Sequence, residues 1–490
     1  MPAGRFNHLD AKVAGKVALS FGTWTCLAAA FLSLPSALVP LSAAEGEIDL
    51  TPRAVAGRVQ QVHTVVEVQG KLAINPDGKS VRRLPMEAKA DLRFTEKFLP
   101  PSRESAEVRT IRHYTAADAR IRIQESHIEQ TLRPERRLIA SRIADTAHLV
   151  SLSGPLTREE LELIDTVGNS ALLDMLLPRK SVALGGKWNL TDSAVARLLS
   201  LEAVGQQDVV ATLKKVEDGL AIIDLAGKVS GAVGGVSTEL TLEGKANFHL
   251  ERKCVTWLAL QYDEKRAIGH AQPGYDATIR VRVQAEPIQS SPELSDPSLP
   301  SLVAKDQVGQ SLLEFKAEKA GIAFLHDRRW NVMVDRFDTV ILRLIDRGDL
   351  IAQCNITRLP ALEKGKQMAL AEFQRDVEQT LSKNMAQIVE ATQSQNDEGL
   401  RVLRIVVSGT ASELPIQWVY YHLSDASGQR ASLVFTMEAK LVDRFAQIDR
   451  ELVENVELSP SLLDETKEPT PAAAAGKSAR KPASDPTRAK

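Results

Sequence analysis

The chain reads as an α+β protein, with an antiparallel β-rich first domain carrying covering helices and an α/β sandwich second domain built on another antiparallel sheet. Three observations predict this. From about 59 to 284 the apolar side chains recur at every second position. A Pro-rich stretch opening at Glu286 ends that pattern. Beyond it, short alternating runs are interleaved with runs of helical period.

The alternation is strict. Val62, Thr64, Val66, Val68 and Leu72 interleave with His63, Glu67, Gln69 and Lys71; Met86, Ala88, Ala90, Leu92 and Phe94 interleave with Glu87, Lys89, Asp91 and Arg93. Val236–Phe248, Ala221-Ile223-Leu225, Leu258-Leu260-Tyr262 and Ile279-Val281-Val283 repeat the rule. A two-residue period places one set of side chains on a buried face and the other in water, as in antiparallel strands. Asn75-Pro76-Asp77-Gly78 and Glu217-Asp218-Gly219 are turn sequences between such runs, which makes the flanking strands hairpin partners. Gly231-Ala-Val-Gly-Gly235 reads as another hairpin turn, because a phosphate loop would continue into Lys-Ser/Thr.

A helical insert interrupts the strands. Thr157 and Glu160 have capping-box spacing. Leu161, Ile164, Leu172, Leu173, Leu176 and Leu177 supply apolar faces, Gly168 divides them into two short helices, and Asp192–Leu201 forms a third. A broad sheet with one apolar face needs a cover, and these helices provide it. Glu159, Glu160, Glu162 and Asp165 read as a solvated acidic helix start.

Residues 45–285 therefore form the first domain, 286–312 a linker, 313–458 the second domain and 459–490 a tail too poor in large apolar residues to pack. In the second domain Gly321–Phe324, Trp330–Val334, Val340–Ile345 and Leu350–Ile356 read as strands. Met368–Glu390 reads as one helix, with Leu370, Phe373, Val377, Leu381, Met385 and Ile388 at three- and four-residue spacing. Strands at Arg401–Ser408, Ile416–Leu423 and Ala431–Met437 follow, then a helix from Glu438 to about Val453.

The run Leu414-Pro-Ile-Gln-Trp-Val-Tyr-Tyr-His-Leu-Ser-Asp, the turn Ser427-Gly-Gln-Arg, the strand Leu433-Val-Phe-Thr-Met and the opening Leu441-Val-Asp-Arg-Phe resemble the PsbP-type fold from about Gly321 to Leu458. That resemblance implies a PsbP-like sheet flanked by helices, in a family of accessory and binding proteins. The chain as a whole also resembles uncharacterised exported proteins of planctomycete-type bacteria. In plan the first domain is similar to periplasmic carriers of the LolA/LppX kind, whose curved sheet wraps helices around an apolar cavity.

The N-terminus has the layout of a secretory signal peptide over residues 1–44: Arg5, Lys12 and Lys16, an uncharged stretch Val17–Leu41, and small residues at Ser42-Ala43-Ala44. Cleavage there gives a periplasmic or secreted product beginning at Glu45, without a membrane-spanning segment; the alternative is an uncleaved anchor, since the uncharged run is long enough to span a bilayer. The formal net charge of −2 supplies no global field for nucleic acid. Of three cysteines, Cys254 and Cys354 follow the signal segment and are expected as buried free thiols.

No cofactor and no metal are expected. The nine histidines include no His-x-x-x-His pair, and there is no Gly-x-Ser-x-Gly elbow. The candidate binding loop is His326-Asp327-Arg328-Arg329-Trp330, since loops carry function and Arg and Trp anchor interfaces. Trp418 and Tyr420 share one strand face and Tyr421 takes the other. The reading is a non-enzymatic exported binding or accessory module of the cell envelope, engaging a protein partner or a small apolar ligand. One alternative is a lipid or lipoprotein carrier, which requires a first-domain cavity of about 300–1,000 Å³. The other is a hydrolase whose residues meet only in three dimensions.

Overall fold

The computed structural model describes residues 46–459 except 54, 76–78, 101–106, 145–146 and 300–310. The predicted signal segment, the tail from residue 460 and the Pro76–Gly78 part of the first predicted turn lie outside the described residues.

Alternation produces the expected sheet. It has 13 strands and runs in the order Lys187–Asn189, Val210–Glu217, Leu220–Val233, Val236–His249, Cys254–Arg266, Gly274–Ile288, Val59–Ile74, Arg82–Phe98, Val108–Ile123, Leu138–Ile143 and Ala147–Ser151. Ala203–Gln207 and Ser126–Thr131 pair off this path. Most neighbours are hairpin partners, as the turn sequences require. Asp218 and Gly219 both have positive φ (50° and 75°), which the two-residue turn into Leu220 needs. The central pairing is different in kind: Gly274–Ile288 lies against Val59–Ile74 over fifteen register pairs, from Gly274↔Ala73 to Ile288↔Val59.

Val62, Val66, Val68, Leu92, Leu258, Val281 and their neighbours fill one face and are buried against Leu161, Ile164, Leu173, Leu176, Val195 and Leu198 of the helical insert. The cover forms as the sequence predicts. Thr157 caps the Arg158–Ile164 helix in a complete capping box with Glu160. Ser170–Leu176 is a 3-10 helix, and Asp192–Leu198 is the third, shorter than expected. Glu160 departs from the expected solvated face. It is 4% exposed and bound bidentately by Arg133 at 2.7 and 2.8 Å, because the helix start turns inward.

A polar seam crosses this core. Glu96, fully buried, accepts from Gln60 Nε2 (2.7 Å), Thr110 Oγ1 (3.1 Å), Arg112 Nε (2.7 Å) and Ser170 Oγ (2.8 Å). It ties the sheet to its helical cover by charge-assisted bonds.

The second sheet has seven strands in the order Trp330–Arg336, Thr339–Asp346, Asp349–Leu359, Arg430–Glu438, Leu414–Ser424, Arg401–Ala411 and Met385–Gln395, all antiparallel. One face packs Trp330, Tyr421, Phe435 and Phe445 with the C-terminal helices; the other holds Trp418 and Tyr420 under Phe373, Val377 and Leu381. This is an α+β arrangement, as predicted.

Two helices differ from expectation. The Met368–Glu390 helix spans only Leu370–Leu381, after which Ser382 takes φ 46° and Met385–Gln395 is a strand. The helical spacing misled because that strand has register shifts between Met385/Gln387 and Ile388/Glu390. Each shift inserts a residue, so Met385, Ile388 and Ala391 reach one core at three-residue intervals. The Glu438–Val453 helix is broken into Ala439–Leu441, Val442–Phe445 and Ile448–Glu454, with Ala446 at φ 49° between the last two.

The Pro-rich stretch is not a bare linker where it is described. Strand pairing continues to Ile288, and Leu294 and Leu299 are buried against Leu99, Ile111 and Ala140. Leu313–Ala317 then pairs in parallel with Leu156–Thr157 of the first half and antiparallel with Ile322–His326 of the second, which places one small four-stranded sheet across the joint. A second contact joins the halves: a Cβ on Gly235 would stand 2.0 Å from Gly348 Cα, so two hairpin turns meet backbone to backbone where only glycine fits.

Candidate functional site

The sequence-predicted loop sits at the joint between the halves. Trp330 is 1% exposed, its ring 5.9 Å from that of Phe435. His326 is 2% exposed and its Nδ1 donates to the Asp327 carbonyl at 2.9 Å. Burial, and Arg158 nearby, hold its imidazole down at about 4, so it is neutral at pH 7. Asp327 pairs with Arg329 at 2.9 Å. Arg328 donates to the carbonyls of Ser311 (2.8 Å) and Leu149 (2.6 Å), while Arg158 donates to those of Arg328 and Trp330. The loop's side chains are thus committed to internal contacts, and Arg133 adds a bridge from Glu160 to Glu314 at 2.9 Å. A ligand arriving from solvent does not meet His326 or Trp330.

Cys254 and Cys354 are buried and free. Among the described residues no cluster of three or more His, Cys, Asp or Glu has a metal-binding arrangement, and no helix is long and apolar enough to cross a membrane.

A cavity of about 200 Å³ lies between the first sheet and its helical cover. Register explains it. Val66 pairs with Ala90, and Ala90 with Ala119; one row on, Val68 pairs with Ala88; beyond that, Ala277 stands opposite Gly70. Of these, Val66, Val68, Ala90 and Ala119 line the cavity, and the two alanines leave space that Leu or Phe would fill. Gly70 itself is required, since a Cβ there would lie 2.3 Å from the Asp276 carbonyl oxygen. Leu163, Val167 and Leu199, in and just beyond two cover helices, form the roof together with Glu162, Asp165, Thr166 and Ser200.

One end of this cavity carries a buried ion pair, and parity along Cys254–Arg266 puts it there. Leu258, Leu260 and Tyr262 point inward, and the same parity carries Glu264 and Arg266 inward after them. Glu264 is 3% exposed. Its Oε1 accepts from Thr238 Oγ1 (2.7 Å) and from Arg266 Nε (2.9 Å) and Nη2 (2.5 Å); its Oε2 accepts from Tyr275 OH (2.9 Å). The Arg266 guanidinium also lies 4.6 Å from the centre of the Tyr275 ring. With four donors on two oxygens the carboxylate is saturated and is not placed to take a proton from a substrate. Tyr262, 4% exposed, lines the same end. Burial raises its phenol well above 10, and Glu264 beside it acts in the same direction, so the hydroxyl keeps its proton.

Sequence reading missed this site, although one signal was present: Glu264 and Arg266 continue an inward-facing series that had been apolar up to Tyr262. The cavity falls below the size expected of a lipid carrier. A separate open groove of about 810 Å³, flanked by Trp257, Lys245, Glu243 and Arg282, lies on the sheet's outer face among charges of both signs.

No protein-family model matches the chain, and no curated protein matches it. Among solved structures, a crystal structure from Bacteroides thetaiotaomicron is similar at 10% identity over 30% of this chain and 48% of that one, with a TM-score of 0.23; the chain spans about half its length. Cyanobacterial PsbP (CyanoP) from Synechocystis is similar at 12% identity over 30% of this chain and 93% of that one, with a TM-score of 0.25. A loop-deletion mutant of OmpT, an outer membrane protein of Vibrio cholerae, matches at 8% identity over 78% and 99%, with a TM-score of 0.11. None of these scores carries an argument. The α+β class rests on the strand and helix order described above.

Proposed function

We propose that the chain is a non-enzymatic accessory module, exported to the cell envelope, whose first domain holds a small and largely apolar molecule in the cavity under its helical cover. The observation that carries this reading is the Val66–Ala90–Ala119 row, where small side chains face the cover and leave about 200 Å³ next to the Glu264–Arg266 ion pair. An apolar cavity of about 150 Å³ stays dry and takes benzene, so the ligand is on the scale of one ring or a short alkyl chain, not a whole lipid. The saturated carboxylate favours binding over catalysis. Export is supported by the basic, uncharged and small-residue segments of residues 1–44, and N-terminal sequencing of the exported product should begin at Glu45.

The test is ligand-observed NMR with toluene. Wild-type protein should give saturation transfer to toluene, and Ala90→Phe should abolish it while retaining the fold, because the ring occupies the cavity. No transfer to toluene from the wild-type protein would end this reading.

A further inference from the structure

We infer that the cavity selects a neutral molecule with an oxygen acceptor at one end, such as a ketone, ester or amide, and that Tyr262 with Arg266 recognises that oxygen; this rests on the cavity reading above.

Tyr262 is the first donor at this end of the cavity. It is 4% exposed, lines the cavity and makes no hydrogen bond to another described residue, although a buried hydroxyl ordinarily finds a partner. Its register neighbours across the sheet are Leu242 and Ile279, which offer it no side-chain acceptor. Because the phenol retains its proton, it enters the cavity as a donor. Arg266 adds donors of the same kind. Its Nε and Nη2 are bound to Glu264, and its Nη1 has no bonded partner among the described residues, although the side chain is only 7% exposed. Two donors therefore stand together on the sheet side of a cavity whose cover side also carries Glu162, Asp165, Thr166 and Ser200, and their complement is an acceptor oxygen on an apolar body.

Charge decides between a neutral and an ionised head. Arg266 is neutralised by Glu264 at 2.5 Å, so the pair brings no net charge to the cavity. A ligand carboxylate would be desolvated there without a free cation to offset the cost, and it would face the Glu264 carboxylate across a short distance. At this end an ammonium would meet two donors and a carboxylate already held by four, the cavity's other carboxylates, Glu162 and Asp165, coming from the helical cover. A neutral carbonyl avoids both penalties.

The experiment compares 2-heptanone, heptanoate and toluene on the full protein by ligand-observed NMR titration at pH 7. Wild-type protein should bind 2-heptanone at least about ten-fold more tightly than heptanoate. Tyr262→Phe should weaken 2-heptanone by about five-fold, the scale of one hydrogen bond, and leave toluene unchanged. The infrared carbonyl stretch of bound 2-heptanone should also move to lower wavenumber on the wild-type protein, a reading that does not depend on the variant folding. If toluene binds but heptanoate matches 2-heptanone, or Tyr262→Phe leaves 2-heptanone unchanged, or the carbonyl stretch does not move, the head-group inference is overturned while the cavity reading stands. If toluene fails to bind as well, both fall.

Discussion

Replacing Glu96 by Gln perturbs the first domain at its most heavily bonded buried group. The side chain keeps its shape and loses its charge, so the Arg112 guanidinium, 4% exposed, remains buried with Asn169 Oδ1 as its other acceptor. Breaking a buried ion pair from one side leaves an uncompensated charge and costs about 3–5 kcal/mol. With its carbonyl kept toward Arg112, the new amide also turns its NH2 toward Gln60 and Ser170, which already donate to Oε2, so the upper half of that range is expected. Arg112→Met in the same background should recover at least about 2 kcal/mol, since it removes the stranded charge. A chain with two cores does not guarantee two-state unfolding; native-state hydrogen exchange on the strands Val59–Ile74, Arg82–Phe98 and Val108–Ile123 is therefore the assay. A loss below about 1 kcal/mol, or strict additivity with Arg112→Met, would refute the reasoning. The pH dependence has a definite sign. Burial raises the Glu96 carboxyl, but Arg112 and the donors of Ser170 and Gln60 outweigh it and hold it below 4.5. Its stabilisation is thus present above about 4.5 and lost as pH falls through the lower folded value, a loss that Glu96→Gln should not show.

Three further outcomes are expected. Phe373→Ala should cost about 3–5 kcal/mol by opening a cavity under the Leu370–Leu381 helix, and Glu378→Ala, on the exposed side, less than about 0.5 kcal/mol; denaturant titration followed by Trp418 fluorescence compares them, and equal losses would mean that the helix presents another face. Gly348→Ala, with φ 85° and a Cβ 2.8 Å from Gly235 Cα, should loosen the turn contact between the halves, read as faster proteolysis around the joint with unchanged hydrogen exchange in either core. His422, 1% exposed, has both ring nitrogens without partners and packs 5.8 Å from Phe373; burial first, then Arg430 and Arg401, push its imidazole down to about 4. The unfolded chain therefore takes the proton first, and stability should fall by on the order of 3 kcal/mol between pH 6.5 and 4, a fall that His422→Leu removes; equal pH curves for the two proteins would count against it.

Much of this was decided by local sequence. Alternation along Val59–Ile74 or Val236–Phe248 fixes which side chains face the core, because a strand's period is two whatever its partner. The Thr157–Glu160 capping box and the Asp218-Gly219 turn are likewise satisfied by residues a few positions apart. Only tertiary structure decided the rest. Pairing of the first long strand with the last, Val59–Ile74 with Gly274–Ile288, unites segments about two hundred residues apart, and nothing in either strand names the other. Bulges gave Met385, Ile388 and Ala391 a helical spacing within a strand, since a register shift belongs to the pair and not to one chain segment. The loop His326–Trp330 had the composition of a binding site, yet carbonyls of Leu149 and Ser311 took up Arg328 and made it a joint. The cavity likewise required Ala90, Ala119, Ile279 and Tyr262 from four different strands to be brought into adjacent rows, a juxtaposition set by cross-strand register.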